Sequence, residues 1–336
     1  MKRLLLFICL LIAGNSFAKI IRVNNQEPTN PQQSTYASLQ DAYDNAQAGD
    51  TLYIEGSTDG YGDITLSKKI TIIGPGYFLV ENPTTQVNAQ PAIVHRIFVE
   101  SGAEGSKLLG LLIGQFQSTY IRLNIGNIEI EKCYFRNGAY ILINRSSLNN
   151  ISIRQSYFDS QPFGWHQTNE APINLLFANN IVLGEFKLPD NTTGTLINNV
   201  FVNSTFDVGA NSVLSIHNNI LLGTNTSEVV LPAPQSSITH NIAALSQFGT
   251  DNNNQANVAP TDIFVGGESP DGKYQIKENG PADNTGRNGV DIGAFGGPAP
   301  YRLSGIPDIP HIYELTTDGF ATDGNELKVE IKVTAN

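Results

Sequence analysis

The chain has 336 residues, of which 40% are hydrophobic, two cysteines and a formal charge of −11. That apolar content excludes a disordered chain, and the acidic balance speaks against a nucleic-acid partner because it offers a polyanion no long-range attraction. Cys9 falls in the N-terminal segment, which leaves Cys133 without an intramolecular partner and assigns stability to packing rather than to disulfides.

Residues 1–18 read as an export signal. Lys2 and Arg3 precede an apolar run over residues 4–13, and Ser16-Phe17-Ala18 supplies small residues at the cleavage positions. The run is shorter than the roughly 20 residues of a membrane-spanning helix, so no transmembrane segment is expected. The mature chain is then expected to begin near Lys19, in a secreted, periplasmic or cell-surface location. Its charge is −13 once Lys2 and Arg3 are gone.

Residues 38–47 place Leu39, Ala42, Tyr43 and Ala46 on one face of a short helix, with Ser34 or Thr35 available to cap its start. A short amphipathic helix immediately before a series of strands fits a cap over an open sheet edge. Strand-type alternation begins at Thr51.

The centre of the chain repeats itself. Residues 127–135 (N-I-E-I-E-K-C-Y-F) match residues 150–158 (N-I-S-I-R-Q-S-Y-F) at an offset of 23, and the position of Phe135 recurs at Phe158, Val182, Phe201, Leu221 and Ala243. It also reaches back to Ile113. The intervals are 22, 23, 24, 19, 20 and 22. Short apolar alternations at that period, with no room for a crossover helix, predict parallel strands stacked coil on coil about 4.8 Å apart. Residues one period apart then lie on top of one another. Glu131 falls under Arg154, Arg136 under Asp159, and Tyr134-Phe135 under Tyr157-Phe158. Asn180, Asn199, Asn219 and Asn241 precede the apolar pairs, where left-handed turn geometry and side-chain ladders between coils are both expected. Cys133 aligns with Ser156, which makes it a small turn residue rather than a reactive thiol.

After Gly297 the composition changes. Pro298, Pro300, Pro307 and Pro310 mark a linker-like run, and residues 327–333 alternate strictly as a strand does. Residues 298–336 are therefore read as a linker with a short β appendage, free-standing or packed on the last coil, beside a domain over residues 19–297.

Two segments carry a resemblance to a known family. Ala42-x-x-x-Ala46-x-x-Gly49-Asp50-Thr51-Leu52 followed by Ile70-Thr-Ile-Ile-Gly-Pro-Gly resembles the opening of secreted bacterial proteins of the pectin-lyase-like superfamily. Residues 280–286 (G-P-A-D-N-T-G) and Asp291-Ile-Gly-Ala-Phe-Gly resemble their closing segment, with Gly280 where serine is usual. The resemblance implies an all-β, right-handed, single-stranded parallel β-helix with an N-terminal capping helix and a short C-terminal β appendage. It also implies action on, or binding of, polysaccharide.

The residues do not supply the usual catalytic sets. Hydrolysis needs two carboxylates about 5–9.5 Å apart, yet across neighbouring coils Glu129 faces Ser152 and Glu131 faces Arg154. Elimination from a uronate needs a cation such as Ca²⁺ and a basic residue. Glu55, Asp59 and Asp63 around Gly60-Tyr61-Gly62, or Asp251 with residues 252–254, are the Ca²⁺ candidates, and neither set has a ligand pattern. No metal or other cofactor is assigned.

One patch interrupts the repeat. The link over residues 161–172 carries the single tryptophan, Trp165, with His166 and Glu170. Tyr120-Ile-Arg-Leu-Asn and Tyr140-Ile-Leu-Ile-Asn match over five residues and put Arg122 outward beside it, with Arg145 at the next turn. Trp165 and Arg122 are candidates for sugar binding, and Arg122, Arg145, His166 and Glu170 for catalysis. Two readings follow: a non-catalytic extracytoplasmic protein that binds glycan or supports surface attachment, and a polysaccharide lyase or glycoside hydrolase acting on an acidic polysaccharide with an atypical site.

Overall fold

A computed structural model describes residues 18–114, 118–145, 148–165, 171–202, 206–223, 236–317 and 327–334. It is an all-β parallel solenoid of about eight turns. An eleven-stranded sheet and an eight-stranded sheet of two-residue strands run along it, and a five-stranded sheet spans the coils from Ile64 to Trp165, all with parallel pairing. Among the described residues no helix is long and apolar enough to cross a membrane.

The predicted register holds. Ile128 to Glu131 pair with Ile151 to Arg154, and Tyr134-Phe135 with Tyr157-Phe158. The series Ile113, Phe135, Phe158, Val182, Phe201, Leu221 and Ala243 forms one continuous inward column of the eight-stranded sheet. Stacking places like on like: the Phe135 and Phe158 rings lie 4.5 Å apart and nearly parallel, worth about 1 kcal/mol beyond the area they bury.

The turn asparagines divide two tasks between adjacent positions. Left-handed backbone falls one residue earlier than predicted, at Asn179, Asn198, Asn218 and His240, with φ between 55° and 58°. Asn180, Asn199, Asn219 and Asn241 are fully buried instead. Each donates from Nδ2 to the Oδ1 of the residue one coil on, at 2.9–3.1 Å, ending on Asn254. Ser156 and Cys133 continue the column through backbone N–H groups. Cys133 is wholly buried, which pushes its thiol up to about 12.

Two local expectations are corrected. The helix over Leu39–Asn45 is capped by Ser38, whose Oγ accepts from the Asp41 N–H, while Thr35 is committed to a strand. Arg136 and Asp159 stack in register without an ion pair: Arg136 donates to the Gly114 carbonyl, and Asp159 accepts from the Asn137 and Gly138 N–H groups. An unpaired turn backbone one coil below competes better for the carboxylate than a solvated guanidinium does. The helix buries Leu39, Ala42 and Tyr43 against the first strands. The Tyr43 hydroxyl also accepts from the Ser67 and Lys68 N–H groups, tying it to the coil.

The proline-containing run neither hangs free nor packs on the last coil. Residues 286–308 run back along the solenoid as a strap. Asn218 accepts from the Arg287 N–H, Asn198 donates to Asp291 and Gly293 carbonyls, and Asn179 to those of Ala294 and Gly296. Gln155 donates to Ala299 and Pro300, and Lys132 to Asp308. The left-handed turn residue of each coil thus holds the next piece of strap. Beneath it, Tyr157, Ile181, Val200, Ile220 and Ile242 join Ile263, Phe264, Tyr274, Ile292 and Tyr301 in a second apolar cluster. The eight-stranded sheet is therefore covered on both faces. The strap ends in an antiparallel hairpin, His311–Thr317 with Val329–Thr334, back beside the first coils.

Candidate functional site

With one sheet covered, and the hairpin seated over Tyr53 at the start of the eleven-stranded sheet, the outer face of the five-stranded sheet remains open. The five-stranded sheet consists of Ile64–Leu66, Arg96–Val99, Tyr120–Leu123, Tyr140–Ile143 and Phe163–Trp165. Its alternation is strict. Ile97, Val99, Ile121, Leu123, Ile141 and Ile143 are completely buried, while Arg96, Phe98, Tyr120, Arg122, Tyr140 and Leu142 are half-buried on the outside.

Those outward side chains form a platform. Arg96, Tyr120 and Tyr140 stand in one column; Thr65, Phe98, Arg122, Leu142 and Gly164 stand in the next. The rings of Phe98 and Tyr120 are 6.0 Å apart, and those of Tyr120 and Tyr140 are 5.8 Å apart. The Arg122 guanidinium lies 4.6 Å from the Phe98 ring centre and that of Arg96 lies 5.8 Å from it. Gly164 completes the surface by having no side chain, since a Cβ there would come within 2.5 Å of the Tyr140 ring.

Charges along the edges fix the arginines. Arg96 is paired with Asp63, which also contacts His95, and this raises the guanidinium pKa further. Arg122 donates to Glu100 at 3.0 Å, and Asn124 donates to the second Glu100 oxygen at 2.6 Å. Asn144 extends the row to Asn124. The Asn124 hydrogen bond, then Arg122 and the nearby charge of Arg145, hold the Glu100 carboxyl below the ordinary 4.5. The Arg122 Nε is buried without a partner.

Of the residues singled out from sequence, Arg122 therefore bonds Glu100, and Arg145 acts on it only through its charge. Trp165 has its backbone in register with Ile143, one column over from Arg122. The Trp165 side chain, His166 and Glu170 lie outside the described residues. Sequence reasoning missed Phe98 and Arg96. The signal was present: Arg96-Ile-Phe-Val-Glu shares the alternation of the two matched segments one coil earlier.

On the eleven-stranded sheet a carboxylate pair escaped the search across coils because it lies within one strand. Glu129 and Glu131 are two residues apart, hence roughly 6.6 Å along the chain, and both bond the same Arg154 nitrogen. Lys107 also engages Glu129 at 2.7 Å, and Lys132 engages Glu131 at 3.4 Å. Each carboxylate is thus neutralised by two cations. The Ca²⁺ candidates diverge as well: Glu55 takes Arg22 and Asn24, Asp59 takes Gln26, and Asp63 takes Arg96. Among the described residues no group of three or more acids, histidines or cysteines gathers as a metal nest.

Fold and surface together define a strapped parallel β-solenoid with an open aromatic and arginine face. No protein-family profile matches the chain, and no curated protein matches it.

Proposed function

We propose that the chain is an exported, non-catalytic polysaccharide-binding β-helix, right-handed and akin to the pectin-lyase-like proteins, that holds glycan on its five-stranded face. The observation that carries this reading is the platform of Phe98, Tyr120 and Tyr140. Aromatic faces preset by stacking between coils offer an extended chain of sugar rings large contact area at little entropic cost. The coil spacing repeats the contact along the solenoid axis, as a polymer requires.

The charge arrangement favours a neutral glycan. Arg96 and Arg122 are matched by Asp63 and Glu100, and a chain of net charge −11 repels an acidic polymer. Pairing of every outward carboxylate on the eleven-stranded face with cations supports binding over hydrolysis. The export segment and the two family-like segments support an extracytoplasmic location. In the opening segment, Asp50 accepts from the Lys19 and Gln47 N–H groups. In the closing one, Ile292 and Ala294 are strap residues buried against the eight-stranded sheet.

The test is affinity electrophoresis in gels containing neutral or acidic polysaccharides, with parallel assays for unsaturated products and reducing ends, with and without Ca²⁺. Retention by a neutral polysaccharide without cleavage, weakened by Tyr120→Ala, is expected. New chain ends abolished by Arg122→Ala or Glu170→Ala would replace this reading with the lyase or hydrolase one.

A further inference from the structure

The hairpin that ends the strap is docked along one edge only. The Val87 N–H donates to the Ile312 carbonyl at 2.9 Å, so the strand His311–Thr317 is the one turned to the coils. Its neighbour Val329–Thr334 makes backbone hydrogen bonds to that strand and, among the described residues, to no other. The outer edge is thus a row of peptide groups open to one more strand. A two-stranded ribbon is marginally stable in water, and a further strand strengthens it.

The side chains restrict which strand can add. Directly opposed residues of an antiparallel pair share a face. Ile312 stands opposite Val333, Leu315 opposite Ile331 and Thr317 opposite Val329, which makes one face of the hairpin apolar. Ile312, Leu315, Val329, Ile331 and Val333 are 44–56% exposed there. The other face is charged. Lys332 stands opposite Glu314 and bonds it at 2.8 Å, whereas Glu330 stands opposite Thr316, which offers no positive charge.

We infer that this edge docks a second copy of itself: two Val329–Thr334 strands pair antiparallel about a two-fold axis through Ile331, and the two hairpins form one four-stranded sheet. The run Val329-Glu-Ile-Lys-Val333 selects that register. With Ile331 opposite its own counterpart, Val329 meets Val333 and Glu330 meets Lys332, once on each side of the axis. Moving the axis to residue 330 or 332 sets Glu330 or Lys332 against itself. Placing it between two residues opposes apolar side chains to charged ones. The charge pattern is therefore self-complementary, as a two-fold contact requires. Lys332 then lies between Glu314 of its own hairpin and Glu330 of the second copy, so Glu330 gains the cation that Thr316 does not supply. A contact of one strand pair is small, and association in the micromolar range is expected.

Sedimentation equilibrium of the full chain over a concentration series tests the pairing, and a monomer–dimer equilibrium is expected. Glu330→Lys is expected to weaken it about tenfold, because two opposite-charge pairs become like-charge pairs. Lys332→Glu is expected to do the same. An equimolar mixture of the two variants regains dimers, since both pairs are again of opposite charge. Lys332→Glu also loses its bond to Glu314, so a second measurement avoids that variant. In a Cys9→Ser background, with Cys133 buried, Ile331→Cys is expected to form a disulfide-linked dimer on mild oxidation. Glu330→Cys is not, because residue 330 meets residue 332 and lies about 7–8 Å from its own counterpart, beyond disulfide reach. A monomer at every concentration overturns the proposal and leaves the edge to a strand of another protein. A dimer that Glu330→Lys does not weaken also overturns it. So does a mixture of the charge variants as weak as either alone, or cross-linking of Glu330→Cys as ready as that of Ile331→Cys.

Discussion

Replacing Asn199 by alanine probes the interior ladder on which the coils are registered. Asn199 Oδ1 accepts from the Asn180 N–H at 2.9 Å and from Asn180 Nδ2 at 3.0 Å; its Nδ2 donates to the Phe177 carbonyl at 2.8 Å and to Asn219 Oδ1 at 2.9 Å. Alanine deletes all four bonds. Two partners are still served, because Asn180 Nδ2 keeps the Ile153 carbonyl and Asn219 Oδ1 keeps the Asn199 N–H. The Asn180 N–H, in a fully buried residue, loses its acceptor. One orphaned donor costs about 1–3 kcal/mol and the three remaining lost bonds about 1 kcal/mol each, so the substitution is expected to cost about 4–6 kcal/mol. Asn199→Asp costs more: it retains the acceptor toward Asn180 but turns a second oxygen toward the Phe177 carbonyl and Asn219 Oδ1, and it buries a charge. Urea unfolding measures both losses as shifts of the midpoint at constant m. Hydrogen exchange locates them, since in a solenoid the weakened coil opens before distant ones. A cost below about 1 kcal/mol for alanine, or an aspartate no worse than alanine, would refute the ladder argument.

On the platform, Tyr120→Ala is expected to weaken retention by a neutral polysaccharide about tenfold while leaving the melting temperature nearly unchanged, as suits a half-buried contact residue; gel mobility against glycan concentration reads it. Lys132 is 1% exposed and bonded to Asp308, itself 60% exposed. Asp308→Ala is therefore expected to cost about 1–2 kcal/mol in urea unfolding, below the range for a fully buried pair, and Lys132→Met close to nothing. Burial raises the Asp308 carboxyl, but the Lys132 hydrogen bond and charge, with Arg302, outweigh it and hold the group below its ordinary 3.8. Its stabilisation is thus complete above pH 3.8 and lost as the pH falls through the lower folded value, and Asp308→Asn flattens that acid limb in melts run across pH. Cys133 is expected to resist alkylation by iodoacetamide in the native chain and to react on unfolding, which mass spectrometry of native and urea-treated samples distinguishes.

Much of this architecture is legible in one sequence for a physical reason. Parallel strands in register force equivalent positions of neighbouring coils onto one another. The Phe135 series and the match of residues 127–135 with 150–158 are therefore imprints of contacts about 4.8 Å apart. Stacking is a relation between near repeats, so an offset of 23 residues reveals it. The same logic exposed Arg122 through the match of Tyr120 with Tyr140, and it extends to Phe98 and Arg96 once the alternation is followed back one more coil. Where the pattern is off by a single residue, inference slipped. Left-handed backbone at Asn179, Asn198 and Asn218, and ladder bonding at Asn180, Asn199 and Asn219, belong to adjacent asparagines that composition alone does not distinguish.

Only the tertiary structure decided the strap and what it builds. Its bonds join residues with no periodic relation: Lys132 to Asp308 across 176 positions, Gln155 to Pro300 across 145, Asn198 to Gly293 across 95. Those separations shrink steadily because the strap runs opposite to the direction in which the coils stack, and a run of prolines carries no sign of that reversal. By following the turn column back to the first coil, the strap closes one face of the solenoid. It leaves the aromatic and arginine face open and sets His311 against Tyr53 to frame a cavity that belongs to neither segment alone.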